Sequence, residues 1–233
     1  MTGLGLLATA AVAALVPATG ALLAPPAGLR REIGVLGRQQ VWTSLIVMLM
    51  LMLGQFVPYT YITPMLTEVT GLAASYVPWV LLASGIGATA GVFVGGRLAG
   101  PHLMPALIAM LALQGLVLAA MYATSPYPLP MVAVIVLWGG VNFSIGTAVQ
   151  TRILKWTADA PNLASSLIPA GFNVGIALAA FVGATMLNAG LSYRSLPLIG
   201  VVAMAVATAT ACLSLAAERR SGARPPIVTA TST

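Results

Sequence analysis

The chain has 233 residues, of which 59% are hydrophobic and 6% are charged, and its mean hydropathy is +1.00. Soluble domains carry about a quarter charged residues, so this composition excludes a water-soluble globule and predicts an integral membrane protein. The formal net charge of +6 comes from ten basic and four acidic residues. Because the basic residues stand between apolar runs, they indicate orientation in a bilayer rather than binding to nucleic acid.

The chain opens with residues 1–29, which carry no charge, and 4–23 is about the length that one helix needs to span hydrocarbon. A signal peptide would have a basic segment before its apolar core, and MTGLG supplies none, so a retained helix is predicted. A linker with Arg30, Arg31 and Arg38 follows. Residues 1–40 are therefore predicted to form a leading transmembrane helix and a basic cytoplasmic linker.

Six further apolar runs predict six more transmembrane helices. They cover 41–62, a glycine-rich run that ends at 96, 103–122, 131–151, 165–187 and 196–217. A proline-rich turn at 124–130 separates the third of these from the fourth. The polar segment 218–233 is predicted to be a disordered cytoplasmic tail, because it has too few apolar residues to build a core. The predicted fold is an all-α polytopic membrane protein with seven transmembrane helices, one leading helix plus a six-helix bundle at 41–217.

The distribution of basic residues tests this topology. With seven spans, only Arg194 falls on one side of the membrane, and that side is predicted to be external. The C-terminus is then cytoplasmic and the N-terminus lies outside, where a first helix without a flanking charge is unusual, so we expect further sequence upstream. Nine basic residues fall on the cytoplasmic side: Arg30, Arg31, Arg38, Arg97, Arg152, Lys155, Arg219, Arg220 and Arg224.

Two of the predicted helices carry small residues at a four-residue spacing, which places them on one helix face and permits close approach of another backbone. We expect both faces to pack against a partner half during transport. Arg97 follows the first face and marks a short cytoplasmic turn. The first face consists of Gly87, Gly91 and Gly95, and the second of Gly171, Gly175, Ala179 and Gly183.

Without the leading helix, the remaining six helices form two triplets, and the middle helix of each is the glycine-rich one. The triplets run in opposite directions, because each contains an odd number of helices. This arrangement predicts two inverted three-helix repeats. Small-residue spacing is common in membrane helices, however, so packing without any repeat is the alternative.

Several motifs resemble the seventh, eighth, tenth and eleventh helices of major facilitator superfamily drug:proton antiporters, the chloramphenicol-resistance and arabinose-efflux-like permeases. The resemblance covers about 41–217 and implies the C-terminal half of such a transporter, with proton-coupled drug efflux. The motifs are Tyr59-Thr60-Tyr61-Ile62 with Pro64, Gly95-Gly96-Arg97-Leu98-Ala99, Gln150-Thr151-Arg152, Ala160-Pro161, Leu163-Ala164-Ser165-Ser166 and Phe172-Asn173-Val174-Gly175.

The resemblance implies a substrate cavity between two halves near the bilayer midplane, lined in this chain by the helices at 41–62 and 131–151. Each polar residue there could instead form a helix–helix hydrogen bond. The helix at 131–151 has two polar stripes, one of Asn142, Gly146 and Gln150 and one that includes Ser144 and Thr147, and the sequence does not distinguish which one faces the cavity. The cavity candidates are Gln55, Tyr59, Tyr61, Asn142, Ser144 and Gln150, and Asn173 is assigned to gating or packing.

Rival classes fail on individual residues. A retinal protein needs a lysine at mid-membrane, and the only lysine, Lys155, follows a predicted span. The only cysteine, Cys212, excludes a cysteine-based metal cluster. An intramembrane serine protease is not predicted, because His102 stands at a helix start and no serine lies in a Gly-x-Ser-x-Gly motif. The chain is therefore predicted not to be an enzyme and to need neither cofactor nor metal.

The expected partners are the lipid bilayer, a small-molecule substrate, and either an N-terminal half-transporter or a second copy of the chain, with no nucleic acid. No carboxylate falls within a predicted span, so we expect the N-terminal half to supply the proton carrier. The alternative is an inactive truncated remnant or a structural membrane subunit. The acidic residues are Glu32, Glu68, Asp159 and Glu218.

Overall fold

The computed structural model of the protein describes residues 34–100 and 102–222, and the predicted leading helix at 4–23 lies outside them. Six long helices make up most of the described chain, in which no strand occurs. All six are long and apolar enough to cross a membrane, which confirms an all-α, multi-pass membrane protein. They are α1 (Gln39–Thr60), α2 (Val77–Leu98), α3 (Leu103–Thr124), α4 (Pro128–Trp156), α5 (Pro161–Asn188) and α6 (Leu196–Ser221).

Three helices are longer than predicted at the end of the bundle where the basic residues gather, which we call the basic end. Helix α2 contains Arg97 in its last turn. Helix α4 contains Arg152 and Lys155, and α6 contains Glu218. A basic side chain in the last turn interacts favourably with the carbonyl groups of a helix C-terminus. The helices can therefore continue past the first charged residue. Residues that the sequence placed in turns or in the tail therefore belong to membrane helices.

Prolines shape the helices at their starts and in their interiors. Helices α2, α4, α5 and α6 each carry proline in their first two positions, where an amide N–H would have no helical partner. Pro58 and Pro169 lie inside α1 and α5, and both helices continue past them. Close to the second proline, Asn173 donates a hydrogen bond from Nδ2 to the Pro169 carbonyl oxygen over 2.9 Å.

The extensive helix–helix contacts join the first three described helices to the last three. Helix α1 packs on α4, α5 and α6, helix α2 packs on α4, and α3 packs on α4 and α6. The middle helix of each triplet thus lies on the first helix of the other triplet. Helices α1, α3, α4 and α6 enclose the core, which includes fully buried Met48, Leu111, Ile145 and Ala207.

The two small-residue faces pack inside this bundle, and the expectation that they contact a partner half is wrong. A Cβ built on Gly87 would lie 2.5 Å from the carbonyl oxygen of Val136, and one on Gly95 would lie 2.5 Å from that of Ser144. On α5, a Cβ at Gly175 would lie 2.5 Å from Cβ of Met52 on α1. Backbones approach so closely because glycine carries no side chain, and the same spacing suits a neighbour within the chain.

The opposite end of the bundle is closed by short turns and aromatic side chains. A π-helical turn, Met65–Val69, and a 3-10 turn, Ala74–Tyr76, connect α1 to α2. The rings of Tyr61 and Tyr193 have centroids 6.1 Å apart. Arg194, the basic residue predicted on this side, lies 4.9 Å from the ring centroid of Tyr122, within range of a cation–π interaction.

Candidate functional site

An open pocket of about 770 Å³ lies between α1, α4 and α5, with one residue from α2 at its edge. Its wall is mainly aromatic and aliphatic, with a few polar side chains, which is the usual composition of a small-molecule site. The pocket is lined by Met52, Gln55, Phe56, Tyr59, Val92, Asn142, Phe143, Gly146, Thr147, Gln150, Phe172 and Ile176.

The structure brings together four of the six residues that the sequence suggested for a cavity, namely Gln55, Tyr59, Asn142 and Gln150. On α4, all three members of the stripe Asn142, Gly146 and Gln150 line the pocket. Thr147 lines the pocket as well, although the sequence grouped it with the other stripe.

Ser144 and Tyr61 lie elsewhere. Ser144 is buried and donates a hydrogen bond from Oγ to the carbonyl oxygen of Gly91 over 2.7 Å, across the contact between α4 and α2. The Tyr61 ring covers Gly183, where a Cβ would lie 2.8 Å from Cε2 of the tyrosine. Both residues hold helices together, because their polar or aromatic groups are engaged with a neighbouring helix.

Gln55 and Asn142 occupy the polar centre of the pocket. Their side chains are 6% and 5% exposed, and neither Gln55 Oε1 nor Asn142 Oδ1 has a hydrogen-bond partner in the protein. The two residues lie at a similar depth on antiparallel helices, since Tyr59, one turn beyond Gln55, lies against Trp138, one turn before Asn142. A buried amide without a partner is costly, so these oxygens are available to a ligand.

Aromatic side chains form the floor next to these amides. Tyr59 lies between Phe56, at a centroid distance of 5.6 Å, and Trp138, at 6.1 Å. Trp138 is 1% exposed, and its Nε1 also has no hydrogen-bond partner in the protein. A planar molecule in the pocket would therefore meet ring faces and edges on the α1 side.

The residues assigned to gating or packing separate into two groups. Gly87, Gly91, Gly95, Gly171, Gly175 and Gly183 all lie at helix–helix contacts, where an added Cβ would meet a neighbouring helix within 3.0 Å. Arg97 and Asn173 are exposed on α2 and α5. The glycines thus lie at packing contacts between helices. A gating role for Arg97 and Asn173 remains a prediction.

The burial of Arg152 at the basic end, where its side chain is 3% exposed, was not predicted from the sequence. Its Nε donates to Ser44 Oγ on α1 over 2.8 Å, and one terminal nitrogen donates to Ser214 Oγ over 2.7 Å and to Glu218 Oε1 over 2.5 Å, both on α6. The other terminal nitrogen contacts the sulfur of Met104 on α3. One guanidinium thus joins four helices.

This cluster had a signal in the sequence. Ser44 and Ser214 each lie near the basic end of an otherwise apolar run, at a depth similar to that of Arg152, and Glu218 stands one turn beyond Ser214. A buried arginine needs several acceptors, and these residues supply them.

A second ion pair fastens the start of α1 to the loop between α4 and α5. Arg38 donates two hydrogen bonds of 2.7 Å to the carboxylate of Asp159 and a third, also 2.7 Å, to the carbonyl oxygen of Trp156. The hydrogen bonds with Asp159 raise the pKa of Arg38. This contribution to stability is complete below the unfolded pKa and is lost only at strongly alkaline pH, so the Arg38 side of the pair does not titrate near neutrality.

Known proteins similar to the chain are transporters. It is 29% identical over 205 residues to the inner membrane transport protein YdhP of Escherichia coli (strain K12), covering 88% of the chain and 52% of YdhP. It is 31% identical over 191 residues to a chloramphenicol resistance protein of Streptomyces lividans, covering 76% and 48%. The uncharacterized MFS-type transporter YfhI of Bacillus subtilis (strain 168) is 28% identical over 222 residues, covering 95% and 55%. No protein-family model matches the chain.

Six apolar helices and membrane-protein relatives together define a multi-pass membrane protein. The chain is a homologue of major facilitator superfamily transporters, as its motifs predicted. It spans about half the length of the relatives named above. These relatives are transporters rather than enzymes.

Proposed function

We propose that the chain is the C-terminal half of a major facilitator superfamily transporter that exports small molecules. The observation that carries this proposal is the pocket, which is open on one side of the helix bundle. The chain matches only about half the sequence length of its relatives. A second half, or a second copy of the chain, would close the pocket and form a cavity between two bundles. The chain then binds one side of the substrate.

The packing supports two inverted three-helix repeats. Helix α2 lies on α4, and α5 lies on α1, so the two glycine-rich helices occupy equivalent places in the bundle. We propose a seventh helix at 4–23 before these repeats. The basic end is assigned to the cytoplasm, because it holds Arg38, Arg97, Arg152 and Lys155.

The coupling of transport to a proton gradient is assigned to the proposed N-terminal half. Of the described carboxylates, Asp159 and Glu218 are in ion pairs at the basic end, and Glu68 lies in the turn between α1 and α2. None of these three lines the pocket. A proton antiporter needs a titratable group along its transport path, so proton-coupled efflux requires a carboxylate from the N-terminal half.

The test is co-expression in a bacterium that lacks its own drug exporters. The chain is expressed alone, with the first half of YdhP, and fused to that half, and chloramphenicol accumulation is measured with and without a proton gradient. We expect accumulation to fall only when both halves are present and the gradient is intact. Unchanged accumulation, with both halves shown to be in the membrane and bound to each other, would favour the inactive remnant.

A further inference from the structure

The chemistry of the pocket restricts which molecules it can bind. None of the described residues that line it is charged, and its polar groups are the amides of Gln55, Asn142 and Gln150, a threonine hydroxyl and a tyrosine hydroxyl. A charged ligand would lose its hydration without gaining an opposite charge from this wall, and aromatic faces compensate a cation only in part. The described wall therefore favours uncharged ligands.

The unpartnered atoms indicate which polar group such a ligand carries. Gln55 Oε1 and Asn142 Oδ1 are hydrogen-bond acceptors, and neither has a partner in the protein. Both belong to side chains more than nine-tenths buried that line the pocket. The terminal torsion of an amide side chain is soft, so the oxygen can turn toward a ligand at little cost. A ligand with an O–H or N–H group would satisfy these acceptors.

From these observations we infer that the pocket binds uncharged, aromatic molecules that carry an O–H or N–H group. That group donates a hydrogen bond to the side-chain oxygen of Gln55 or Asn142. The ring lies against Phe56, Tyr59 and Phe172, and the donor points to the amides. This inference rests on the proposed function, because it names the substrate class of the same pocket. It is tested by binding to the 233-residue chain, whereas the proposed function is tested by transport with a second half.

The experiment uses four probes that share a naphthalene ring and differ in one group. 2-Naphthol is uncharged with a donor, 2-methoxynaphthalene is uncharged without one, 2-naphthoate is an anion, and 2-(aminomethyl)naphthalene is a cation at neutral pH. Saturable binding to the chain in lipid nanodiscs is measured, with empty nanodiscs subtracted. We expect 2-naphthol to bind about tenfold more tightly than 2-methoxynaphthalene, the effect of roughly one buried hydrogen bond, and both ions to bind more weakly still.

Variants locate the binding site. Gln55→Leu and Asn142→Leu should each weaken 2-naphthol binding several-fold and leave 2-methoxynaphthalene unchanged. Gln114→Leu is the matched control, since Gln114 on α3 is also a buried amide, 1% exposed with Oε1 and Nε2 unpartnered, but does not line the pocket. It should leave binding of both probes unchanged.

Three results would overturn the inference. These are equal affinity for the naphthol and its methyl ether, tighter binding of either ion, or no saturable binding of any probe. A loss of 2-naphthol binding in the Gln114 control equal to that in the pocket variants would do the same. The comparison of probes on the unmodified chain decides the matter even if a variant fails to fold, and transport with a second half remains a separate measurement.

Discussion

Arg152 shows how a single charged side chain can hold a membrane bundle together. Its guanidinium has acceptors on two helices and an ion pair with Glu218, and it lies at the basic end of the bundle. Removal of one member of a buried ion pair lowers the free energy of unfolding by more than the intact pair contributes to it. The reason is that the remaining charge stays buried without a partner. Here that charge is Glu218, with 15% of its side chain exposed.

Arg152→Met should therefore destabilise the bundle strongly, by about 3–5 kcal/mol if Glu218 stays buried and less if it reaches water. Thermal unfolding of the purified protein in detergent would measure this. Arg219→Met is the control, since Arg219 is exposed on the same end of α6 and should tolerate the change. In the double variant with Glu218→Gln, the added loss from Arg152→Met should be smaller, and a purely additive result would contradict the ion pair's importance.

Glycine at the contact between α2 and α4 decides how closely the two helices approach. Gly95 and the neighbouring Gly96 have the same chemistry but opposite surroundings. A Cβ on Gly95 would lie 2.5 Å from the Ser144 carbonyl oxygen, whereas one on Gly96 would have nothing within 4 Å. The two positions therefore separate backbone packing from helix propensity.

Gly95→Ala should destabilise the fold by roughly 1–3 kcal/mol, because α2 must move away from α4 to admit one methyl group. Gly96→Ala should have no unfavourable effect and could gain up to about 1 kcal/mol, because alanine is the better helix former. Thermal melts of both variants by circular dichroism are the measurement. Equal behaviour of the two alanines would mean that α2 does not pack on α4 through this face.

The sequence was informative about which helices form and less so about what each touches. Long apolar runs are sufficient to predict a membrane helix, so all six described helices were predicted, with ends that differ by a few residues. The four-residue spacing of glycine predicts a close contact but carries no information about the partner helix. For the same reason both polar stripes of α4 were plausible, and only the three-dimensional arrangement places Asn142 at the pocket and Ser144 against Gly91.

Buried charge was harder to predict than apolar helices. In a membrane sequence a basic residue usually marks a helix end in water, and Arg152 fits that rule by position alone. Its burial depends on Ser44, Ser214 and Glu218, which are distant in the chain and come together only through packing. Pairwise proximity of this kind is not encoded in the hydropathy of any one segment.

The orientation of the bundle can be measured with single cysteines in a Cys212→Ala background, because the native Cys212 is exposed. Tyr127→Cys, at the turn before α4, should react with a membrane-impermeant maleimide added to intact cells, since Tyr127 is 62% exposed at the end opposite to the basic residues. Ser221→Cys, at the end of α6, should react only after the cells are opened. The reverse pattern would invert the assigned topology.

The packing order of the helices has a consequence for how the protein is made. Among the described helices, α1, α2 and α3 find their extensive contacts with α4, α5 and α6 rather than with one another. The ribosome delivers the first three to the membrane before any of these partners exists. Insertion therefore precedes assembly, and the early helices lie in lipid without these contacts until α4 is inserted. A nascent chain that stalls before α4 would have no stable partial structure to protect it.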